Sequence, residues 1–206
     1  MEKPSAVIFD VGNVLFDWQP RRLYERLIED DQALDAFLAT VVTKDWHFQH
    51  DAGRPFAETS AELAAAYPQH ADLIAAWGPR FNETLEHPIP GMIELVTELD
   101  AAGVPLYAIT NFSGELWRAW APLHDDLFGR FRDIVVSGDE RLVKPDPAIY
   151  ALALDQFGLA GPDAVFVDDS PPNVHAAADM GIHAVLFTDA PAFRTELVRL
   201  GLLAGS

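Results

Sequence analysis

The chain has no cysteine. That removes disulfide frameworks, zinc thiolates, iron–sulfur clusters and a thiol nucleophile at one stroke. Basic residues are scarce. Lys+Arg is 14 against Asp+Glu 32, a formal net charge of −18. Such a chain is poorly suited to nucleic-acid backbones or anionic membranes, because both need a basic face. A small anionic ligand stays possible, since one bound cation inverts the field around it. No uncharged apolar run approaches the length of a membrane span. The opening stretch, Met1 to Asp10, lacks a signal peptide's apolar region and cleavage site, so the expected location is cytoplasmic. Repeats and low-complexity tracts are missing as well.

What is present is an alternation of short apolar runs and helical patterns. Candidate strands are Ala6–Phe9, Val104–Ile109, Ile134–Val136, Ala164–Val167 and His183–Phe187. They are continuous rather than alternating, as expected of strands covered on both faces. Between them, Met92, Leu95, Val96 and Leu99 share a helical face, with Gly103 as the stop. Ile149 to Phe157 forms another, ended by Gly158. Asp146-Pro147 and Ser170-Pro171 both read as an N-cap followed by proline in the first turn. Strand and helix in alternation predict an α/β fold, a Rossmann-like parallel sheet with right-handed crossovers.

Residues 18–86 break the rhythm. Helical stretches stand near Leu23–Leu27, Leu34–Val42, Ala61–Tyr67 and Leu73–Phe81, with no strong strand. The expected organisation is a core of 1–17 and 87–206, interrupted by a helical cap of 18–86.

Ligands of open parallel sheets sit at the carboxyl ends of the strands. Those ends carry Asp10, then Thr110 with Asn111, then Asp168 with Asp169. The loop after the third strand leads to Lys144, one of only three lysines. The fold would bring three carboxylates and a lysine to one rim. Clustered carboxylates repel and take up protons unless a cation is present. Mg²⁺ suits few carboxylates, a backbone carbonyl and a substrate phosphate. That chemistry fits phosphoryl transfer, with Asp as a nucleophile.

Four stretches in order carry a resemblance: Ile8–Leu15, Ile109–Asn111, Lys144–Pro147 and Val167–Asn173. They resemble the four motifs of the haloacid dehalogenase-like hydrolase superfamily, in its helical-cap phosphatase branch. The resemblance implies Asp10 as nucleophile and metal ligand, Thr110 as a phosphate-binding hydroxyl, and Lys144 as the phosphate-binding cation. It implies Asp169 and Asp168 as metal carboxylates, with the Gly12 carbonyl joining Asp10 on Mg²⁺. Asn13 and Asn111 become candidates for phosphate or backbone hydrogen bonds, and Ser170 and Asn173 for ordering the last motif.

One position departs from the pattern. Most family phosphatases place a second Asp two residues after the nucleophile, as general acid and base, and here that residue is Gly12. Asp-Val-Gly-Asn-Val is similar to the glucose-1-phosphatase-like subgroup. The missing acid points toward easily departing groups, as in sugar 1-phosphates or acyl phosphates. His47, His50 or Asp51 of the cap are candidate replacements, set against a reading of Trp46-His47-Phe48 as core. The expected function is a Mg-dependent phosphatase of a small phosphorylated metabolite, acting through an aspartyl phosphate. Two alternatives stand beside it: a 2-haloacid dehalogenase, which the paired Asp168 and Asp169 oppose, and a catalytically degenerate binding module. The oligomeric state is left open.

Overall fold

A computed structural model describes residues 3–205. Five strands form its centre: β1 (Ala6–Phe9), β2 (Leu106–Thr110), β3 (Asp133–Val136), β4 (Ala164–Asp168) and β5 (His183–Leu186). All pair in parallel, in the order β3-β2-β1-β4-β5. The chain thus builds outward from β1 to one side, then returns to build the other. The crevice at that reversal lies beyond the ends of β1, β2 and β4.

Strand alternation divides the core. Val7 and Phe9 of β1 face one apolar cluster, together with Leu95, Leu99 and Phe193. Ala6 and Ile8 face the other, with Ile149, Tyr150, Phe157 and Ala177. Both sheet faces are therefore covered, as the unbroken apolar strands require. β5 is the exception. It is an edge strand, only partly buried, and it stops at Leu186 rather than Phe187. Among the described residues, one side of it has no neighbouring strand.

Helices between β1 and β2 are α1 (Pro20–Tyr24), α2 (Asp31–Thr40), α3 (Lys44–Asp51), α4 (Phe56–Ala66), α5 (Ala71–Ala76) and α6 (Met92–Ala101). Two 3₁₀ turns, Pro68–His70 and Phe81–Thr84, complete this stretch. The apolar run expected as one helix over 73–81 is divided, with α5 ending at Ala76. Tyr24, Phe37, Trp46, Trp77 and Phe81 pack into the same cluster as Val7 and Phe9. The helical stretch is thus joined to the sheet by continuous apolar packing, with Phe81 edge-on to Phe112 at 5.3 Å.

Six further helices follow: α7 (Gly114–Trp120), α8 (Asp125–Phe128), α9 (Ser137–Glu140), α10 (Pro147–Phe157), α11 (Pro171–Asp179) and α12 (Ala190–Arg199). α10 starts as the sequence implies: the Asp146 side chain accepts from the Ala148 amide at 2.9 Å, with Pro147 next. Gly158 ends it at φ 66°, a left-handed conformation that glycine adopts without strain. α11 starts differently. Ser170 occupies the cap position, but its hydroxyl makes no capping bond. Among the described residues, no helix is long and apolar enough to cross a membrane.

Candidate active site

The sheet aims its strand ends at one buried cluster. Asp10 follows β1 directly and its backbone N–H donates to Val167 O of the adjoining β4 at 2.9 Å. Asp168 is the last residue of β4 and is fully buried. Lys144 is 2% exposed, and its Nζ lies 2.8 Å from Asp10 Oδ1 and 2.7 Å from Asp168 Oδ2. The ammonium also sits 5.4 Å from the centre of the Phe166 ring.

A buried lysine needs partners to stay charged. Burial alone pulls its pKa down; the carboxylates of Asp10 and Asp168 outweigh burial and raise it. Asp10 is raised to about 7, by burial first and by Asp168 as well, with Lys144 opposing. Two carboxyl groups share one ammonium, so Asp10 takes up a proton readily where no further cation is bound.

Loop residues hold this arrangement. Asn111, just beyond β2, grips the backbone of Lys144 from both sides. Its Nδ2 donates to Lys144 O at 2.9 Å, and Lys144 N donates to its Oδ1 at 2.8 Å. Asn173 of α11 donates Nδ2 to both oxygens of Asp168, at 3.0 and 3.1 Å. Ser170 N adds a bond to Asp168 Oδ1 at 2.8 Å. Asp168 is thereby surrounded by protein donors. Asp169, one residue on, is exposed.

Thr110 closes β2 at 1% exposure, and the next two residues, Asn111 and Phe112, form the cavity wall. Asn13 takes a positive φ of 58°. Its Oδ1 accepts from Trp18 N at 3.1 Å, and its side chain also bonds Asp169. Gly12 lines the cavity between Asp10 and Asn13.

The cavity itself has a volume of about 170 Å³. Asp10, Lys144 and Asp169 form its floor, and Trp18, His47, Phe48, Asp51, Phe81 and Phe112 line it too. A larger hollow of about 480 Å³, between Phe16, Ile93 and Leu123, holds no comparable cluster of carboxylates and lysine.

α3 supplies the site residues that periodicity in the sequence does not announce. Thr43 caps it, its hydroxyl accepting from Trp46 N at 3.1 Å. Its buried face is Trp46, His47, His50 and Asp51, three of them polar. An apolar-stripe search passes over such a helix. The spacing of 46, 47, 50 and 51 is the usable signal, because it puts all four on one side. The core reading of Trp46-His47-Phe48 divides accordingly: Trp46 is buried, whereas Phe48 is 43% exposed at the cavity wall. His50 turns away, its Nε2 lying 2.5 Å from Thr59 Oγ1.

Asp51 reaches the cavity at the end of α3, and its backbone is anchored to the sheet. Ser137 Oγ, fully buried after β3, donates to Asp51 O at 2.6 Å and accepts from Phe112 N at 2.9 Å. Burial of the Asp51 carboxyl pushes its pKa up to about 8. Burial also lowers His47 to about 3 and His50 to about 4, so both imidazoles are neutral.

Oxygen atoms of Asp10, Asp168 and Asp169 lie within 4.8 Å of one another. Hard oxygen donors with excess negative charge fit a divalent cation of the magnesium kind. Asp10 and exposed Asp169 have the more available oxygens, since those of Asp168 are engaged by Lys144, Asn173 and Ser170.

Known proteins bear on this geometry. Residues 4–181 match the family of haloacid dehalogenase-like hydrolases. The chain is 29% identical over 202 residues to the sesquiterpene phosphatase AstK of Aspergillus oryzae, covering 95% of this chain and 96% of that protein. It is 32% identical over 142 residues to phosphoglycolate phosphatase 1 of Pseudomonas aeruginosa, covering 68% and 47%. Among solved structures, a family enzyme of Bacteroides thetaiotaomicron, in its magnesium complex, superposes with TM-score 0.71 at 17% identity, covering 96% and 100%. The L-2-haloacid dehalogenase of Xanthobacter autotrophicus superposes with TM-score 0.64 at 20% identity, covering 98% and 85%. At those identities the structures speak for the fold. The family match spans every strand end that contributes to the cluster, and on that ground the chain belongs to the haloacid dehalogenase-like hydrolases.

Proposed function

We propose that this chain is a magnesium-dependent phosphatase acting on the phosphate monoester of a largely apolar alcohol. The observation that carries the phosphatase reading is Lys144, buried and bonded to both Asp10 and Asp168 beside exposed Asp169. Asp10, Asp169 and the Gly12 carbonyl would hold Mg²⁺, which when bound neutralises charge on the phosphoryl oxygens and on the carboxylates. Residues 18–86 act as the cap.

The chain's own residues then have distinct roles. Lys144 draws the phosphate in and opposes protonation of Asp10. Asp168 and Asn111 fix Lys144, one at its ammonium and one at its backbone. Asn13 lines the cavity beside Gly12 and would face the phosphate, whereas Thr110 is buried at the end of β2 just before Asn111. Asp10 attacks phosphorus in line and becomes an aspartyl phosphate, which water hydrolyses. The aromatic walls keep bulk water from that intermediate.

The substrate reading follows from what the cavity offers. Its apolar walls are Trp18, Phe48, Phe81, Leu85 and Phe112, with His47 and Asp51 between them, and among the described residues Lys144 is its one lysine or arginine. The amides of Asn13, Asn111 and Asn173 are engaged within the site. His47 and Asp51 are what remains for the hydroxyls of a sugar 1-phosphate, and no second cation of the lining remains for a substrate carboxylate. A near-full-length relative named as a sesquiterpene phosphatase agrees with an apolar substrate. The dehalogenase alternative needs a cation for the haloacid carboxylate. Arg21 and Arg22 are engaged elsewhere, Arg21 with Asp31 and Asp35, and Arg22 with Asp17.

The test is phosphate release from a prenyl phosphate, a sugar 1-phosphate and an acyl phosphate, with Mg²⁺, with EDTA, and with Asp10→Asn. Fastest release from the prenyl ester, lost with EDTA and with D10N, is expected. No release from any ester overturns the phosphatase reading, and preference for the sugar ester overturns the substrate class.

A further inference from the structure

We propose that Asp51 gives the proton to the leaving oxygen and takes it back from the water that follows. The inference rests on the phosphatase reading and adds a group that reading lacks.

An alkoxide leaves poorly unless it gains a proton as its bond to phosphorus breaks. The phosphate end of the cavity has no donor to spare. Asp10 is the nucleophile, Lys144 is held between two carboxylates, and Gly12 has no side chain. Asp169 is exposed and belongs to the cation cluster. Among the described residues Asp51 is the remaining carboxyl in the cavity wall, and it arrives from α3 rather than from the sheet. A donor on that side faces the part of the substrate that leaves.

Its surroundings suit the task. Asp51 is 5% exposed, and its buried Oδ1 has no hydrogen-bond partner among the described residues. His47 Nε2 is the near neighbour on its own helix, at 3.5 Å, too far for a good hydrogen bond. From the loop after β2 the Ser113 N–H points at the carboxyl, and Asp10 and Lys144 act on it from the sheet side. Burial outweighs these groups and keeps the proton on Asp51 at neutral pH. His47 is too weakly basic here to remove it.

The steps balance. Asp10 Oδ bonds to phosphorus while the P–O bond to the alcohol breaks. The electron pair goes to the leaving oxygen, which takes the Asp51 proton and departs as the alcohol. Water then attacks the aspartyl phosphate, gives one proton to Asp51 carboxylate, and releases phosphate and Asp10.

The experiment compares wild type and Asp51→Asn on an alkyl phosphate and on p-nitrophenyl phosphate, whose leaving group needs little protonation. Folding is checked by circular dichroism. Expected is a loss of about 10²-fold or more on the alkyl ester, at least about tenfold greater than the loss on the aryl ester. Equal losses on both esters, or none on the alkyl ester, overturn the assignment while leaving the phosphatase reading intact. A wild type inactive on both esters overturns the two together.

Discussion

Asp168 spends its carboxylate on Lys144. The 2.7 Å contact is fully buried, and the other donors around Asp168 come from its own loop and α11. Asp168→Asn leaves Lys144 paired with Asp10 alone and removes one buried hydrogen bond between charged groups, worth about 1.5–3 kcal/mol. The substitution is therefore expected to lower unfolding free energy by about 1.5 kcal/mol or more, along with activity. Chemical denaturation measures it. A change below about 0.5 kcal/mol, the size of a surface substitution, would show that Asp168 is not the anchor.

Asn111→Ala tests positioning without touching charge. The side chain holds both backbone groups of Lys144. Displacing a reacting group by about 1 Å costs on the order of 10²-fold. The loss should fall on kcat, with KM moving little. A pure KM effect would instead make Asn111 a substrate contact.

Trp18 stacks on His47 at 4.9 Å and lines both the site cavity and a neighbouring one of about 190 Å³. Trp18→Ala should raise KM for a prenyl phosphate by about tenfold or more, since apolar contacts discriminate on that scale. Inhibition by inorganic phosphate should shift far less. Parallel shifts in both would place Trp18 at the phosphate rather than at the alcohol.

Stability should peak near neutral pH in the metal-free protein. His47 and His50 are held near 3 and 4, below their ordinary 6.5, so the unfolded chain takes up their protons first. Stability is then lost as pH falls below about 6.5, by up to about 1.4 kcal/mol per pH unit for each histidine. Asp51 acts oppositely. Its folded value near 8, like that of Asp10 near 7, lies above the usual 3.8, so the two contributions are full below 3.8 and are lost as pH rises through about 7 and 8. Thermal melts from pH 4 to 9 should show both arms, and Asp51→Asn should reduce the alkaline one above pH 7, leaving the part that belongs to Asp10. An unchanged alkaline slope would mean that Asp51 is ionised at neutral pH.

Gly12 offers a gain-of-function check. A Cβ there meets no heavy atom within 4 Å. Adding Gly12→Asp to Asp51→Asn should recover at least about tenfold of the alkyl-ester activity, the low side of what proton transfer contributes. No recovery would tie the D51N defect to packing of α3.

The sheet was legible because buried parallel strands are written as unbroken apolar runs, and Ala6–Phe9 and Ala164–Val167 are such runs. Asp10, Lys144, Asp168 and Asp169 were legible because strand order brings their loops to one rim. α3 was not legible as a helix. Its buried face is mainly polar, and polarity buried against a cavity looks like a solvated loop in one dimension. The roles of Asn111 and Asn173 were also hidden. Whether an amide meets phosphate or a neighbouring backbone depends on distances between distant loops.

Ser137 joins three segments through one buried hydroxyl: its own turn after β3, Phe112 beside β2, and the last residue of α3. The place of the Asp51 carboxyl is thus set from the sheet as well as from its own helix: a displacement of α3 that broke the 2.6 Å bond to Asp51 O would move the carboxyl proposed as the acid relative to Asp10.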